Sequence, residues 1–379
     1  MLAEVKTIEV KKGQSCSHDP AEAVRELREA IHQWDSSVVV AFCSSTYDLD
    51  KLGRELQSAF SCPVIGCTTS GEIGPEGYGQ WSITGFSIAS PDLEVYPHLI
   101  TPLDKMDPNR IRQIASRVER EVETSKEKIP DAKAFGLLLI DGLSGKEERV
   151  TGDLYASLRN IPIVGGSAGD DLKFERTCVY SDGKFLSNAA VFSLFVTSHP
   201  FETFKMQHFE PTDKKLVITK AIPEKRIVQK INGKPASEEY ARLIGVPVDK
   251  LEARVFSQYP LILKIGGEYY VRAIAKLDED GSLHFFCAID EGLVLTIGRG
   301  VDIVQDLSDN FEGLRRRLNP QVIIGCECIL RRIEVIDKDV RNSVDRIMSQ
   351  NNVIGFHTYG EQINAIHVSQ TFTGVAIGE

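Results

Sequence analysis

NVIGFHTYGEQINAIHVSQTFTGVAIG, residues 352–378, decides the fold, because PVIGCTTSGEIGPEGYGQWSITGFSIA, residues 63–89, carries the same pattern earlier in the chain. Gly355, Gly360, Glu361, Thr373 and Gly374 stand at the same relative positions as Gly66, Gly71, Glu72, Thr84 and Gly85. Five positions in step over so long a gap mark an internal repeat. Upstream of each stretch lie a helix and an apolar strand. The first unit runs from Val38–Phe42 through a helix over about Leu49 to Phe60, capped by Asp48 or Asp50, to Pro63–Gly66. The last runs from Val322–Ile324 through a helix over about Asp339 to Gln350 to Asn352–Gly355.

A third copy lies between them: Phe135–Ile140, a helix over about Glu147 to Arg159, and Pro162–Gly166. Here Gly169, Asp170 and Asp171 stand, within a residue or so, where the other copies have Gly and Glu. Strand, helix and strand with short links is the crossover pattern, and Ile83, Gly85, Phe86 and Ile88 suggest an added strand. The rhythm breaks over 208–297, where short alternating strands surround a helix over about Ser237 to Leu243. There Asn232-Gly233 signals a type I′ hairpin. The fold class is therefore α/β (mixed α+β): repeated strand-helix-strand modules with mixed sheets and a β-rich insertion in the C-terminal half. The expected divisions are an N-terminal segment 1–36, a domain 37–200 holding two modules, and a domain 201–379 holding the β-rich part and a third module at 320–379.

The 379 residues, 42% of them hydrophobic, suffice for two or three cored domains. A net charge of −10 argues against nucleic acid as partner. Met1–Lys12 has no export signal, and no apolar run reaches the ~18 residues of a membrane span, so a cytoplasmic protein without a membrane role is expected. The eight cysteines are scattered, which fits reduced cytosolic thiols. Short basic runs at Arg315-Arg316-Arg317 and Arg331-Arg332 read as solvated faces or partner contacts.

Ala41 to Tyr78 resembles the N-terminal FIST domain, while INGKPASEEYARLIGVP (231–247) and GFHTYGEQINAIHVSQTFTGVAI (355–377) resemble the start and close of the C-terminal one. The resemblance covers about Ser37 to Gly378 and implies an intracellular ligand sensor linked to signalling proteins. Gln207–Thr219, Tyr269–Ile274, Phe286–Gly298 and His367–Gly378 are similar to the nitric-oxide-sensing haem branch of the family. That branch implies haem b, a gas ligand, and a histidine kinase, diguanylate cyclase or phosphodiesterase as partner. Its rival is a non-haem FIST sensor that binds an amino acid or other small metabolite in a cleft between modules. Homo-oligomerisation is left open.

Haem iron needs an axial donor, commonly an imidazole. His367, in an alternating stretch, is the first choice; His357, aligned with Thr68 of the first copy, is the second; His208 is the third and His284 the fourth. His18, His32, His98 and His199 read as structural or exposed. Ile354, Phe356, Ile366, Phe372, Phe285 and Phe286 would wall a pocket or simply form core. Cys326 and Cys328 read as inert, buried thiols rather than a metal or redox pair. The glycine-rich turns lack a P-loop ending, so their repetition favours a structural role. Cys43, Cys67, Asp170 and Asp171 have no recognisable catalytic setting, and no enzyme activity is expected.

Overall fold

The computed structural model describes residues 7–158 and 160–379; residues 1–6 of the leader reading and Arg159, the expected helix end, lie outside them. Each module begins one strand and one helix earlier than the repeat suggests. The first runs Glu9–Ser15, helix Pro20–Ile31, Ser36–Ser44, helix Leu49–Ala59, Val64–Thr69, a hairpin (Glu72–Gly74 with Gly77–Tyr78) and a closing strand, Ile83–Ala89. The segment 1–36 thus supplies this module's edge strand and first helix. The second runs Leu93–Ile100, helix Pro108–Lys128, Lys133–Ile140, helix Glu147–Leu158, Ile163–Ser167, a hairpin (Val179–Ser181 with Lys184–Leu186) and Ala190–Thr197. The third runs Phe201–Met206, helix Ile303–Leu318, Pro320–Cys328, helices Ile329–Asp337 and Arg341–Gln350, Val353–Thr358, a hairpin (Glu361–Ile363 with Ile366–Val368) and Phe372–Gly378.

No module completes its sheet alone. The hairpin of the first pairs with Val353–Thr358 of the third, that of the second with Val64–Thr69 of the first, and that of the third with Ile163–Ser167 of the second. The exchange is cyclic and yields three six-stranded sheets of one strand order. In each sheet the two central strands run parallel and the others antiparallel.

Strand periodicity decides the layers. Val38, Val40 and Phe42 face a common core with Leu137, Leu139, Ile324, Cys326, Ile354 and Phe356, where the three sheets meet. Val39, Ala41 and Cys43, one residue out of phase, pack under the helices of their own module. Helix on sheet, and sheet against two sheets, is the layering that leaves these strands buried on both faces. Asp48 caps the helix Leu49–Ala59 by accepting from the Lys51 N–H. The repeated glycine within the second central strand of each module has a steric reason: a Cβ on Gly66, Gly165 or Gly355 would stand 2.1, 1.8 or 2.0 Å from the carbonyl oxygen of Ala41, Leu138 or Gly325.

The β-rich part, 209–300, is inserted between the first strand and first helix of the third module. It curls around its own core of Leu216, Ile218, Val228, Tyr240, Phe256, Phe285 and Leu295. Asn232 (φ 51) and Gly233 (φ 80) both take the left-handed conformation that its hairpin demands.

The middle copy corrects the sequence alignment. By strand register, Val179 occupies the place of Glu72 and Glu361, because it pairs with Cys67 as Glu72 pairs with Phe356 and Glu361 with Gly166. Gly169, Asp170 and Asp171 instead lie in a connection eight residues longer: twelve positions separate Ser167 from Val179, against four between Thr68 and Glu72. The local Gly-Asp likeness hid an insertion.

Candidate functional site

The repeated glutamates are structural cradles. The Glu72 carboxylate accepts from Thr69 Oγ1 (2.5 Å) and from the Ser82 N–H and Oγ (3.2 and 2.7 Å). Glu361 accepts from Thr358 Oγ1 and from the Thr371 N–H and Oγ1 (3.1 and 2.6 Å). Burial pushes Glu72 up to about 7 and Glu361 up to about 8, against the pull of these donors. The glycine before each, Gly71 (φ +116) or Gly360 (φ +147), supplies the positive φ that aims the carboxylate inward.

The three candidate haem ligands occupy three different sites. His208 sits in a buried ionic chain. Tyr78 donates to Glu327 Oε2 (2.5 Å), Arg331 Nε donates to Glu327 Oε1 (3.1 Å), Arg331 reaches His208 Nδ1 (2.5 Å), and His208 Nε2 bonds Glu334 Oε2 (2.8 Å). Burial first, and the Arg331 charge second, lower His208 to about 4, so its ring is neutral near pH 7. Its Nδ1 accepts from the guanidinium and its Nε2–H donates to the carboxylate. Both nitrogens are engaged.

His357 lies beside that chain, fully buried, with Nδ1 3.7 Å from Glu327 Oε2 and its ring edge-on to Tyr78 at 4.5 Å. His367 lies on the exchanged hairpin, with Nδ1 3.2 Å from Gln362 Nε2. A Cβ at Gly360 would stand 2.7 Å from His367 Nε2, and one at Gly71 would stand 3.1 Å from His357 Cδ2. Backbone and ring are therefore packed where a macrocycle would have to lie. His367, His357 and His208 do not fit haem in this structure, and the alternating strand pattern that favoured His367 placed its ring in a protein-filled seam.

Arg331 and Arg332 also differ from their reading as solvated faces or partner contacts. The helix Ile329–Asp337 starts directly off the strand Pro320–Cys328, so its first turn is enclosed: Arg331 is fully buried, and Arg332 donates to the Ser70 carbonyl (2.7 Å). Arg316 and Arg317 do lie exposed, paired with Glu312 and Glu202. Cys326 and Cys328 are buried with thiols pushed well up by desolvation, and no group of metal-ligating side chains occurs among the described residues.

The open site is a cleft of ≈380 Å³ between the second module and the β-rich insertion. One wall is the turn Gly142–Gly145, at the carboxyl end of the strand Lys133–Ile140, where α/β sheets commonly take ligands. The other is Glu224–Ile227 with His284, Phe285 and Phe286. Phe174, Tyr359 and Phe286 form an aromatic floor, with ring centroids 5.1, 5.6 and 6.1 Å apart. Arg226, 8% exposed and held in the left-handed region (φ 56), bridges the two walls. It donates to the Phe286 carbonyl (2.6 Å) and pairs with Glu147 and Glu148 at 2.5 Å. Burial pulls its pKa down, but the two carboxylates outweigh that and raise it, so the guanidinium stays charged. Glu148 also accepts from the Ala288 N–H (2.5 Å).

Of the histidines considered as ligands, only His284, the fourth choice, lines this cleft. Sequence reasoning named Phe285 and Phe286 as pocket walls but missed Arg226 and Phe174, which carry no local signal; their role arises from pairing across the seam.

A FIST N domain model matches residues 37–234 and a FIST C domain model matches residues 236–364. The chain belongs to the FIST family, whose domains are sensory domains of signal transduction. It is similar to the uncharacterized protein MJ1623 of Methanocaldococcus jannaschii, 25% identical over 411 aligned residues that cover 96% of this chain and 78% of that one. Among solved structures, the crystal structure of cyanuric acid hydrolase from A. caulinodans aligns over 98% of this chain and 100% of that one, with 7% identity and a TM-score of 0.33. Among the described residues no helix is long and apolar enough to cross a membrane.

Proposed function

We propose that this protein is a ligand sensor whose small-molecule metabolite binds in the aromatic cleft and reports to a signalling enzyme such as a histidine kinase or a cyclic-dinucleotide enzyme. The carrying observation is Arg226: a buried cation lines the cleft and at the same time ties the β-rich insertion to the second module through Glu147 and Glu148. A ligand touching Arg226 or Phe286 acts on that tie, so binding favours one arrangement of the seam over another, which is what a partner must distinguish. The cleft's volume and its mixture of aromatic walls with few polar groups suit a metabolite of amino-acid size.

A metabolite panel scored by thermal shift tests this, since a ligand specific to the folded state raises the melting temperature. The expected hit is lost in Phe286→Ala and in Ser144→Trp, which fills the cleft. A hit unaffected by both overturns the assignment. Reconstitution with haem forms a second arm: a Soret band that survives in the metabolite-free protein and vanishes in His284→Ala would replace the metabolite with haem at this cleft.

A further inference from the structure

The first module has its own crevice at the matching place in the repeat. Residues 45–50, the turn after the strand Ser36–Ser44 and the start of the helix Leu49–Ala59, and the loop residues Asp170, Lys173, Glu175 and Arg176 border a crevice of ≈250 Å³. In the third module the corresponding place is filled, because the helix Ile329–Asp337 begins there without a turn and Arg332 reaches across to Ser70. Two of three equivalent seams are therefore open.

The two open seams share a wall, and that wall is the inserted connection of the middle module. Asp170 organises it: its carboxylate accepts from the N–H groups of Phe174 (3.0 Å), Glu175 (2.7 Å) and Arg176 (2.9 Å), and from the Tyr359 hydroxyl. Phe174 and Tyr359 face the aromatic cleft, while Glu175 and Arg176 face the first-module crevice. Asp171, Leu172 and Phe174 all adopt positive φ (58, 62 and 55), a conformation that non-glycine residues hold only when their surroundings impose it.

The charges in the crevice point to a ligand class. Asp48 is occupied as a helix cap and Asp170 by its four donors. Asp50 and Glu175 remain as acids, Lys173 and Arg176 as bases; all four are exposed at the mouth of one small space, and none forms an ion pair with another described residue. A molecule bearing an ammonium at one end and a carboxylate at the other satisfies both signs at once, whereas an anion or a cation alone meets repulsion from one of them.

We infer that this crevice is a second binding site, for a small zwitterion, and that the loop Asp170–Arg176 couples its occupancy to that of the aromatic cleft. The coupling rests on the reading of the cleft as a ligand site; the second site does not.

Calorimetric titration of the intact chain with γ-aminobutyrate, and with succinate and putrescine as probes of one sign, tests the site. The zwitterion is expected to bind, the other two not, and Asp50→Asn and Lys173→Gln, both exposed positions, are each expected to weaken binding by about five-fold. Ser144→Trp, which fills the aromatic cleft, should keep this binding but shift its affinity through the shared loop, and adding Tyr359→Phe, which removes the bond to Asp170, should reduce that shift. No binding of γ-aminobutyrate, or equal binding of succinate or putrescine, overturns the site. Binding that survives Asp50→Asn and Lys173→Gln but is lost in Ser144→Trp belongs to the aromatic cleft: the functional reading stands and this inference falls. A γ-aminobutyrate affinity identical in the wild type and in Ser144→Trp overturns the coupling.

Discussion

The first and third modules hold the same glutamate in the same cradle, yet one position away in strand register they part. Thr68 caps its hairpin partner by accepting from the Cys178 N–H (3.0 Å), whereas His357 at the same place faces Glu327, Tyr78 and a buried arginine. The shared cradle shows one way in which two of the three copies secure the turn, a carboxylate that satisfies two hydroxyls and a backbone N–H; the middle copy has Val179 at that register position and completes its sheet without one. The difference shows what one copy has gained, a buried ionic chain that joins the first module's hairpin at Tyr78 to the insertion's entry at His208.

Four experiments would break or sharpen that comparison. Arg331→Ala should be the most damaging, costing about 3–5 kcal/mol, because it leaves Glu327 buried without its cation; a loss under 1 kcal/mol in denaturant unfolding would show that the chain is not a stabilising unit. Glu72→Ala and Glu361→Ala should come next and match each other, at about 2–3 kcal/mol, since each orphans two hydroxyls and a backbone N–H. Unequal costs would mean that the cradles are not equivalent.

The third measurement concerns pH. Both carboxyls are raised above their unfolded value, so the folded state binds more protons than the unfolded one between about pH 4.5 and the folded values of about 7 and 8. Their contribution is fully present below that window and is lost as pH rises through it. Glu361→Gln should therefore flatten the decline in melting temperature between pH 5 and 8 by a few degrees, and Glu72→Gln should do so over a window ending lower. Parallel curves for wild type and both variants would refute the protonated cradle. The smallest effect belongs to His357→Thr, which restores the first module's residue: about 1 kcal/mol, because the lost packing is offset by removing a ring with neither nitrogen hydrogen-bonded. A much larger loss would show that the histidine carries an interaction of its own.

Several elements were legible because their signals are local. The strands, the helix cap at Asp48 and the Asn232-Gly233 hairpin follow from apolar alternation, side-chain reach and left-handed propensity within a few residues. The alignment of the middle copy failed for the complementary reason: Gly169-Asp170 imitates Gly-Glu locally, and only pairing to Cys67 reveals that Val179 holds the position. Arg331 reads as a surface charge because nothing nearby in sequence announces Glu327 and His208 as its partners. The cleft is assembled from Ser144, Phe174, Arg226, Phe286 and Tyr359, residues spread over most of the chain.

The run 352–378 by itself determined that the chain repeats a module and that its glycines and Glu361 serve that module, because the same residues recur at the same spacing in residues 63–89. Tertiary structure alone decided that the hairpin inside this run completes another module's sheet, that His357 and His367 lie packed against backbone and rings, and that the open site is elsewhere. Hydrogen bonding between strands nearly two hundred residues apart, and the burial that follows from it, have no counterpart in local pattern.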